Sequence, residues 1–230
     1  MSTSTPHQFE LSLIEALEAS APGSKAAWCQ FSDQNWSDLT EEERQPLRRA
    51  VDKRRREFAA GRAAAKAGAA ALGIELSSLP VGSQREPCWP GGLVGTITHD
   101  NVSALAWLAP QTQWLGLGLD VECSTRLKPN TWRLLFNDDE LAVLNASDDP
   151  TLAVLMFSAK ESIYKCLFPL VKRFVGYKEV SVLPSHREQL EVLLNDELAA
   201  ETAISAMTVQ AFHLDDRLAT WTWLHRESAG

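Results

Sequence analysis

The sequence is poor in the features that mark several common classes of protein. Its four cysteines are far apart and form no CxxC pair, so neither a zinc site nor a disulfide framework is expected, and we predict that all four are reduced thiols: Cys29, Cys88, Cys123 and Cys166. No apolar run approaches the roughly 18 residues that a membrane span needs, and the amino terminus lacks the basic start and apolar core of a signal peptide. The sequence therefore predicts a cytoplasmic protein that is neither exported nor membrane-spanning.

Positive charge is also scarce. The 230 residues contain 22 lysines and arginines against 30 aspartates and glutamates, for a formal charge of -8 and a pI near 5.2, which disfavours a general nucleic-acid binder. The basic residues are nevertheless concentrated between residues 44 and 66, where a charged helix is most often a solvated face. Within that stretch, the small residues around Arg62 would leave its side chain as the one long polar group beside a pocket wall.

The catalytic motifs of several large enzyme classes are missing. There is no GxxxxGK[ST] phosphate loop, no GxSxG nucleophile elbow and no HExxH zinc motif. Gly116 and Gly118 form a GxG, but Val121 stands where a dinucleotide-binding fingerprint has its third glycine, and the five histidines are not spaced as metal ligands. What remains is an acidic, magnesium-type site with phosphate-binding cations.

The pattern of elements predicts an α+β fold. A capping box at Thr40 and Glu43 begins a helical run that is broken near Pro46 and stops near Gly73. Strands are predicted at 27–31, 93–99, 102–109, 114–121, 180–183, 190–194, 207–212 and 218–224, and later helices at 137–146 and 151–168, the last stopped by Pro169. Because helices precede strands in both halves, we predict two similar lobes, residues 1–112 and 113–230, each a small antiparallel sheet packed by helices.

Two carboxylates stand two residues apart at the end of a predicted strand. Asp120 and Glu122 follow an uncharged run, and alternate residues of a strand point to the same face. Like charges held that close repel each other, and a hard cation between them would relieve the repulsion. The alternative is that the strand simply ends here with solvated acidic residues.

A later helix carries a second pair of charges on an apolar stripe. Val154, Phe157, Glu161, Lys165 and Phe168 follow helical spacing, so this stripe is predicted to face the interior. Charges in that position would need a partner such as a metal or a phosphate to offset their desolvation. An ordinary surface pair between Glu161 and Lys165, worth about 0.3–0.5 kcal/mol, is the alternative.

These segments carry a resemblance to a known family. GLDVE at 118–122 and FSAKESIYK at 157–165 resemble the paired (I/V)GxDxE and (F/W)SxKES/AxxK signatures of the 4′-phosphopantetheinyl transferases, in particular their Sfp and enterobactin-synthetase branch. Upstream, AGR at 60–62, REPCWP at 85–90 and GTITH at 95–99 resemble three further family segments in the right order. Thr96 and Thr98 replace the usual serines of the last segment, and Phe157 replaces the tryptophan of many members.

The resemblance implies an activity, a metal and a set of site residues. The protein would transfer the 4′-phosphopantetheine arm of coenzyme A to a serine of an apo acyl, peptidyl or aryl carrier protein and release adenosine 3′,5′-bisphosphate. Magnesium, with manganese as a substitute, would be held by Asp120, Glu122 and Glu161. Glu161 would also act as the general base, and Lys165 would contact the phosphates. Further contacts to coenzyme A are implied at these residues: Arg55, Arg62, Arg85, Thr98, His99 and Lys160.

The resemblance also implies what each lobe contacts and which partners the protein has. The N-terminal lobe would contact the phosphates and adenine, and the C-terminal lobe would hold the metal and the catalytic helix. We expect a monomer that serves siderophore, fatty acid or polyketide synthesis, with no nucleic-acid or membrane partner. Two other functions stay open: a member that binds coenzyme A without transfer, and a carboxylate-metal phosphatase, which the absence of a second acidic cluster disfavours.

Overall fold

The computed structural model describes residues 7–123, 127–185, 189–204 and 206–226. The chain divides into two compact units, residues 1–112 and 113–230. Each unit contains one antiparallel sheet and a long helix packed against it. The predicted α+β class, with a small sheet packed by helices in each lobe, is confirmed.

The N-terminal unit is built on a three-stranded sheet. Its helices are Gln8–Ser20 (α1), Gln34–Ser37 (α2), Glu41–Arg44 (α3) and Asp52–Ala71 (α4), and its strands are Lys25–Gln30 (β1), Leu93–His99 (β2) and Ser103–Pro110 (β3). The order β1-β3-β2 places β3 in the centre, and both pairings are antiparallel. α4 lies against all three strands. It approaches them closely because its buried face consists largely of alanines, which add little bulk: Ala60, Ala64, Ala65 and Ala69.

The C-terminal unit is built on a five-stranded sheet. Its helices are Trp132–Leu135 (α5), Asp138–Ala146 (α6), Leu152–Val171 (α7) and Asp196–Thr202 (α8), and its strands are Trp114–Cys123 (β4), Val180–Pro184 (β5), Gln189–Leu194 (β6), Met207–Leu214 (β7) and Arg217–His225 (β8). The order is β4-β8-β7-β6-β5, with every pairing antiparallel. α7 packs mainly against β4 and β8, and its apolar face forms the core of the unit with residues such as Met156, Ile163 and Leu167.

Several elements differ from the prediction, and three of these differences affect longer stretches of the chain or helix ends. α1 was not predicted, although Phe9, Leu13 and Leu17 recur every four residues and are all buried. α7 continues through Pro169 to Val171, and the proline lies in the last turn of the helix. The short helix α8 was also missed; the side chain of Asn195 caps it by accepting from the amide of Leu198, 2.8 Å away.

Other local predictions are confirmed. The capping box of Thr40 and Glu43 is present at the start of α3, and the run towards α4 is interrupted around Pro46. Asn137 caps α6, where it forms a second capping box with Glu140. Within the described residues, no helix combines the length and the apolar character that crossing a membrane requires.

Candidate active site

The packing of α7 on β4 is closest at two glycines. A Cβ atom on Gly118 would lie 1.8 Å from the carbonyl oxygen of Ser162, and one on Gly116 would lie 2.0 Å from the carbonyl oxygen of Cys166. The glycines therefore let the helix backbone rest directly on the strand. The side of the strand that carries Gly116 and Gly118 also carries Asp120 and Glu122, because alternate residues share a face.

Strand and helix are in register along this contact. Two residues of a strand advance by about 6.7 Å, and four residues of a helix advance by about 6 Å. Successive even-numbered residues of β4 therefore meet successive turns of α7 running in the opposite direction. Gly116 meets Cys166, Gly118 meets Ser162, and Asp120 meets Ser158.

Asp120 is held by side chains of α7. Its side chain is only 9% exposed, and its two carboxylate oxygens accept from the Lys165 ammonium at 2.7 Å and from the Ser158 hydroxyl at 2.9 Å. Lys165 also donates to the carbonyl oxygen of Leu119 at 2.9 Å. A buried carboxylate needs such donors because burial otherwise disfavours its charge. Asp120 is therefore ion-paired to one of the predicted phosphate-binding residues.

A cluster of buried hydroxyls supports this contact from the neighbouring strand. Thr220 of β8 pairs with Asp120 in the sheet. Its hydroxyl lies 3.0 Å from that of Ser158 and 2.8 Å from that of Ser162, and Ser162 donates to the Thr220 carbonyl oxygen at 2.8 Å. Because a satisfied buried hydrogen-bond network fixes its members, this cluster sets the position of α7 on β4.

Glu122 borders an apolar cavity at the end of β4. It is 7% exposed. The cavity has a volume of about 390 Å³ and is otherwise lined mostly by apolar side chains: Leu127, Leu134, Leu135, Val154 and Phe157, together with Lys128 and Thr131. The site thus places a carboxylate beside space that an apolar group of a ligand could fill.

Glu161 is partly buried and is bonded to a tyrosine. The hydroxyl of Tyr177 donates to Glu161 Oε1 at 2.7 Å. Burial, followed by the hydrogen bond and charge of Glu161, raises the pKa of the Tyr177 hydroxyl. Tyr177 therefore remains a proton donor at neutral pH.

The acidic residues of β4 and α7 lie along one seam. Ser158 and Lys165 both contact Asp120, and Glu161 lies between them, within one turn of each. Phe157, one turn before Glu161, lines the cavity beside Glu122. We refer to Asp120, Glu122, Glu161 and Lys165 as the β4–α7 seam. Within the described part of the chain, no three His, Cys, Asp or Glu side chains are already arranged to hold a metal ion.

The predicted orientation of the apolar stripe on α7 is wrong. Val154 is buried, but Phe157, Glu161, Lys165 and Phe168 are all partly exposed. The face that enters the core instead contains Met156, Ala159, Ile163, Cys166 and Leu167. The stripe forms the border of the buried face, which leaves Glu161 and Lys165 accessible at its edge.

Lys160 is the buried charge of this helix. It is 3% exposed, and its ammonium donates to Glu140 at 2.7 Å and to the carbonyl oxygens of Leu135, Tyr177 and Val180 at 3.0, 2.5 and 2.9 Å. Burial lowers the pKa of Lys160, while the hydrogen bond and charge of Glu140 oppose that shift. An ammonium has three N–H groups, so these four acceptors use all of them. The contacts are those of a structural residue rather than of a phosphate ligand.

Arg62 is the buried cation of the N-terminal unit. It is 5% exposed, its Nε donates to the carbonyl oxygen of Leu79 at 2.7 Å, and its guanidinium lies 4.1 Å from the ring centre of Phe58. Burial lowers its pKa to about 10, which leaves it cationic at neutral pH. The loop at Leu79 is also held by buried Glu43, which accepts from the Leu79 amide at 2.9 Å and from Lys66 at 3.0 Å.

His99 is grouped with Arg54 rather than with Arg55. The Arg54 guanidinium lies 3.2 Å from His99 Nε2 and 3.3 Å from Glu57. Because a guanidinium only donates, Nε2 accepts in this contact. Arg55 instead donates to the carbonyl oxygens of Leu47 and Arg48 and lies over the ring of Trp36.

Thr98 and His99 are two of the residues implied as coenzyme A contacts. They are adjacent in β2, so their side chains leave opposite faces of the sheet. Thr98 is 3% exposed, while the His99 side chain is 36% exposed. Arg85 lies in an exposed turn with a φ of 68°. The turn is closed by a backbone hydrogen bond of 3.0 Å from Arg85 to Gly82.

Four residues of the site were missed by sequence reasoning. They are Ser158, Ser162, Tyr177 and Thr220, each joined to the β4–α7 seam or to the glycine beside it by contacts described above. The four-residue spacing of Ser158 and Ser162 on one helix face was a readable signal. No sequence pattern indicates that Tyr177 and Thr220 contact α7, because only the fold brings them to this helix.

Comparison with known sequences covers both units. The profile described as the 4′-phosphopantetheinyl transferase N-terminal domain matches residues 41–109, and the profile described as the 4′-phosphopantetheinyl transferase superfamily matches residues 116–221. Together they account for most of the chain.

Two individual sequences and one solved structure are also similar to this chain. Enterobactin synthase component D of Salmonella typhimurium is 32% identical over 183 residues, which are 76% of this chain and 74% of that protein. The 4′-phosphopantetheinyl transferase Npt of Nocardia iowensis is 31% identical over 137 residues, which are 59% of this chain and 62% of that protein. A crystal structure of holo-[acyl-carrier-protein] synthase from Neisseria meningitidis matches 48% of this chain and 98% of that chain with a TM-score of 0.42 and 14% identity. The chain belongs to the 4′-phosphopantetheinyl transferase superfamily, and its relatives are of the Sfp and enterobactin-synthase type.

Proposed function

We propose that the protein transfers the 4′-phosphopantetheine arm of coenzyme A to a serine of an apo acyl, peptidyl or aryl carrier protein and releases adenosine 3′,5′-bisphosphate. The main support is the register of β4 and α7, which sets Asp120 against Ser158 and Lys165 on the helix that also carries Glu161. The relatives named as phosphopantetheinyl transferases support the same reaction. We expect the protein to act as a cytoplasmic monomer.

The β4–α7 seam has the donors that magnesium prefers. Asp120, Glu122 and Glu161 offer only carboxylate oxygens, and magnesium commonly uses one or two carboxylates together with substrate phosphates and water. No ready-made group of three ligands exists among the described residues, so phosphate oxygens and water would complete the coordination. When bound, magnesium or manganese would neutralise the negative charge of the pyrophosphate.

Lys165 has two roles in this proposal. In the present structure its ammonium balances the buried charge of Asp120 at 2.7 Å. Its side chain is also 24% exposed, so it can reach a phosphate oxygen at the edge of the seam. Lys165 also donates to the Leu119 carbonyl oxygen, so two of its three N–H groups are used and the third can stabilise charge on a neighbouring phosphate.

Glu161 is the proposed general base. The hydroxyl oxygen of the carrier serine attacks the phosphorus that carries the pantetheine arm, and the bond from that phosphorus to the bridging oxygen breaks. The bridging oxygen leaves with adenosine 3′,5′-bisphosphate. Glu161 accepts the serine proton, directly or through water, and the bond from Tyr177 holds the carboxylate in a fixed orientation while it does so.

The N-terminal unit supplies the proposed contacts to the phosphates and adenine of coenzyme A. We keep Arg62, Arg85 and His99 as proposed contacts to coenzyme A. We add Arg54 because its guanidinium contacts His99. Arg55 and Thr98 have less support, since their side chains lie away from this group. We do not propose Lys160 as a contact to coenzyme A, because all of its N–H donors bond to groups inside the fold.

The test uses a panel of apo acyl, peptidyl and aryl carrier proteins with coenzyme A and magnesium. Intact-mass spectrometry should show one added phosphopantetheine on at least one carrier, with an equal amount of adenosine 3′,5′-bisphosphate released. A carrier whose acceptor serine is replaced by alanine should gain nothing. If no carrier gains mass while calorimetry shows coenzyme A binding, the protein is a binding member without transfer. Release of free phosphate from coenzyme A would instead indicate a phosphatase.

A further inference from the structure

Tyr177 lies in the segment that joins α7 to β5 and reaches back to the β4–α7 seam. Its hydroxyl donates to Glu161 at 2.7 Å. Within the described residues this is the one hydrogen bond that the Glu161 carboxylate makes. The orientation of Glu161 therefore depends on a residue outside both β4 and α7.

The ring of Tyr177 is held among aromatic side chains. Its centre lies 6.0 Å from that of Phe157 and 5.9 Å from that of Phe174, and the second contact is edge-to-face. Such contacts restrict the rotation of the ring. The hydroxyl is therefore presented to Glu161 from one direction.

The backbone of Tyr177 is held independently of its ring. Its carbonyl oxygen accepts from Lys160 at 2.5 Å, and Lys160 is paired with Glu140. The other carboxylate oxygen of Glu140 accepts from the amide of Val182 at 2.8 Å. The ion pair between Lys160 and Glu140 thereby connects the Tyr177 segment to α7, α6 and β5. Tyr177 is therefore held both at its backbone and at its ring.

We propose that Tyr177 is a positioning residue for Glu161, whose hydroxyl fixes the carboxylate in the orientation that binds the divalent cation. This inference rests on the proposed function, because it concerns the same site. A glutamate side chain has three rotatable bonds and loses binding strength when it must be ordered at the moment of binding. Partners that hydrogen-bond to metal ligands typically contribute about 10–100-fold to metal affinity.

The test compares Tyr177→Phe with Thr202→Val. The first variant keeps the ring and removes the hydroxyl that bonds Glu161. The second removes a buried hydroxyl that donates to the Leu198 carbonyl oxygen at 2.7 Å in α8, and it serves as the control for losing one buried hydrogen bond. Both variants should keep the wild-type circular dichroism spectrum at 25 °C.

The readout is Mn²⁺ binding, measured by electron paramagnetic resonance of the free ion at saturating coenzyme A. We expect Tyr177→Phe to weaken Mn²⁺ binding by about tenfold or more, with the KM for the apo carrier unchanged, and Thr202→Val to bind Mn²⁺ as the wild type does. In a Glu161→Gln background, Tyr177→Phe should cause no further loss, because the two residues act through one contact.

The outcomes separate this inference from the proposed function. If the wild type binds Mn²⁺ and Tyr177→Phe binds it equally or more tightly, the positioning role is overturned while the proposed function stands. Equal weakening in Thr202→Val would also overturn it, since the effect would then be one of general stability. If the wild type neither binds Mn²⁺ nor modifies a carrier, both proposals fail.

Discussion

Gly118 is predicted to be required for folding rather than for binding coenzyme A. The sequence alone allows another explanation for this glycine, namely that a side chain here would crowd a bound pyrophosphate. In the structure the missing side chain makes room for α7, since a Cβ at this position would lie 1.8 Å from the Ser162 carbonyl oxygen and 2.7 Å from its carbonyl carbon. Gly118→Ala is the smallest change that tests the difference.

The size of the effect follows from that distance. The helix would have to withdraw by roughly 1.2 Å before the contact reached even 3.0 Å, the distance below which real Cβ atoms are essentially never found. Overpacking of a core costs about 1–3 kcal/mol and occasionally more. Because the obstacle is backbone and not the end of a flexible side chain, we expect about 3 kcal/mol. For a protein of this size that loss corresponds to a fall in Tm of roughly 6–12 °C.

The assay is thermal unfolding without coenzyme A or metal, followed by circular dichroism. Gly91→Ala is the matched control, because a Cβ there would meet nothing within 4 Å, and its Tm should equal that of the wild type. A Gly118→Ala protein with the wild-type Tm but weaker coenzyme A binding would refute the packing argument and restore the pyrophosphate explanation.

Two further predictions concern buried charges. Lys160→Met should lower the free energy of unfolding by about 3–5 kcal/mol, because it leaves Glu140 buried without its cation; wild-type stability in urea together with lost coenzyme A affinity would contradict this and make Lys160 a ligand. Glu43 has its pKa lowered overall, since burial raises it but hydrogen bonds from Thr40, Leu79 and Lys66 outweigh that effect. Its stabilising contribution is therefore present above its ordinary pKa and lost as the pH falls through the folded value. Glu43→Gln should be less stable than the wild type by about 1–3 kcal/mol at pH 7, and the difference should shrink below about pH 4; a difference that does not change with pH would show that the charge is irrelevant.

The sequence was informative where a local rule decides the structure. The capping boxes at Thr40 and Asn137 depend on residues three apart, and both are present. The shared face of Asp120 and Glu122 follows from strand alternation alone, which needs no knowledge of the neighbouring elements.

Prediction failed where the answer depends on what packs against an element. Lys160 and Lys165 belong to one motif, but at 100° per residue they are about 140° apart around the helix. Lys160 enters the core, and Lys165 lies at its edge. Which of the two is buried depends on where β4 and the segment at Tyr177 pack against the helix. The same holds for Ser158 and Thr220, which are 62 residues apart in sequence and in contact in the fold.

The most direct test of the proposed site is single-turnover transfer by the wild type and by Glu161→Gln. Each protein is mixed with coenzyme A, magnesium and an apo carrier that the wild type modifies, and the mass of the carrier is followed over time. The wild type should transfer the arm with magnesium and stop when a chelator is added, and Glu161→Gln should be at least about 100-fold slower, since general base catalysis typically contributes 10²–10⁴-fold. Transfer by Glu161→Gln at the wild-type rate, or transfer by the wild type in the presence of chelator, would contradict the role assigned to the β4–α7 seam.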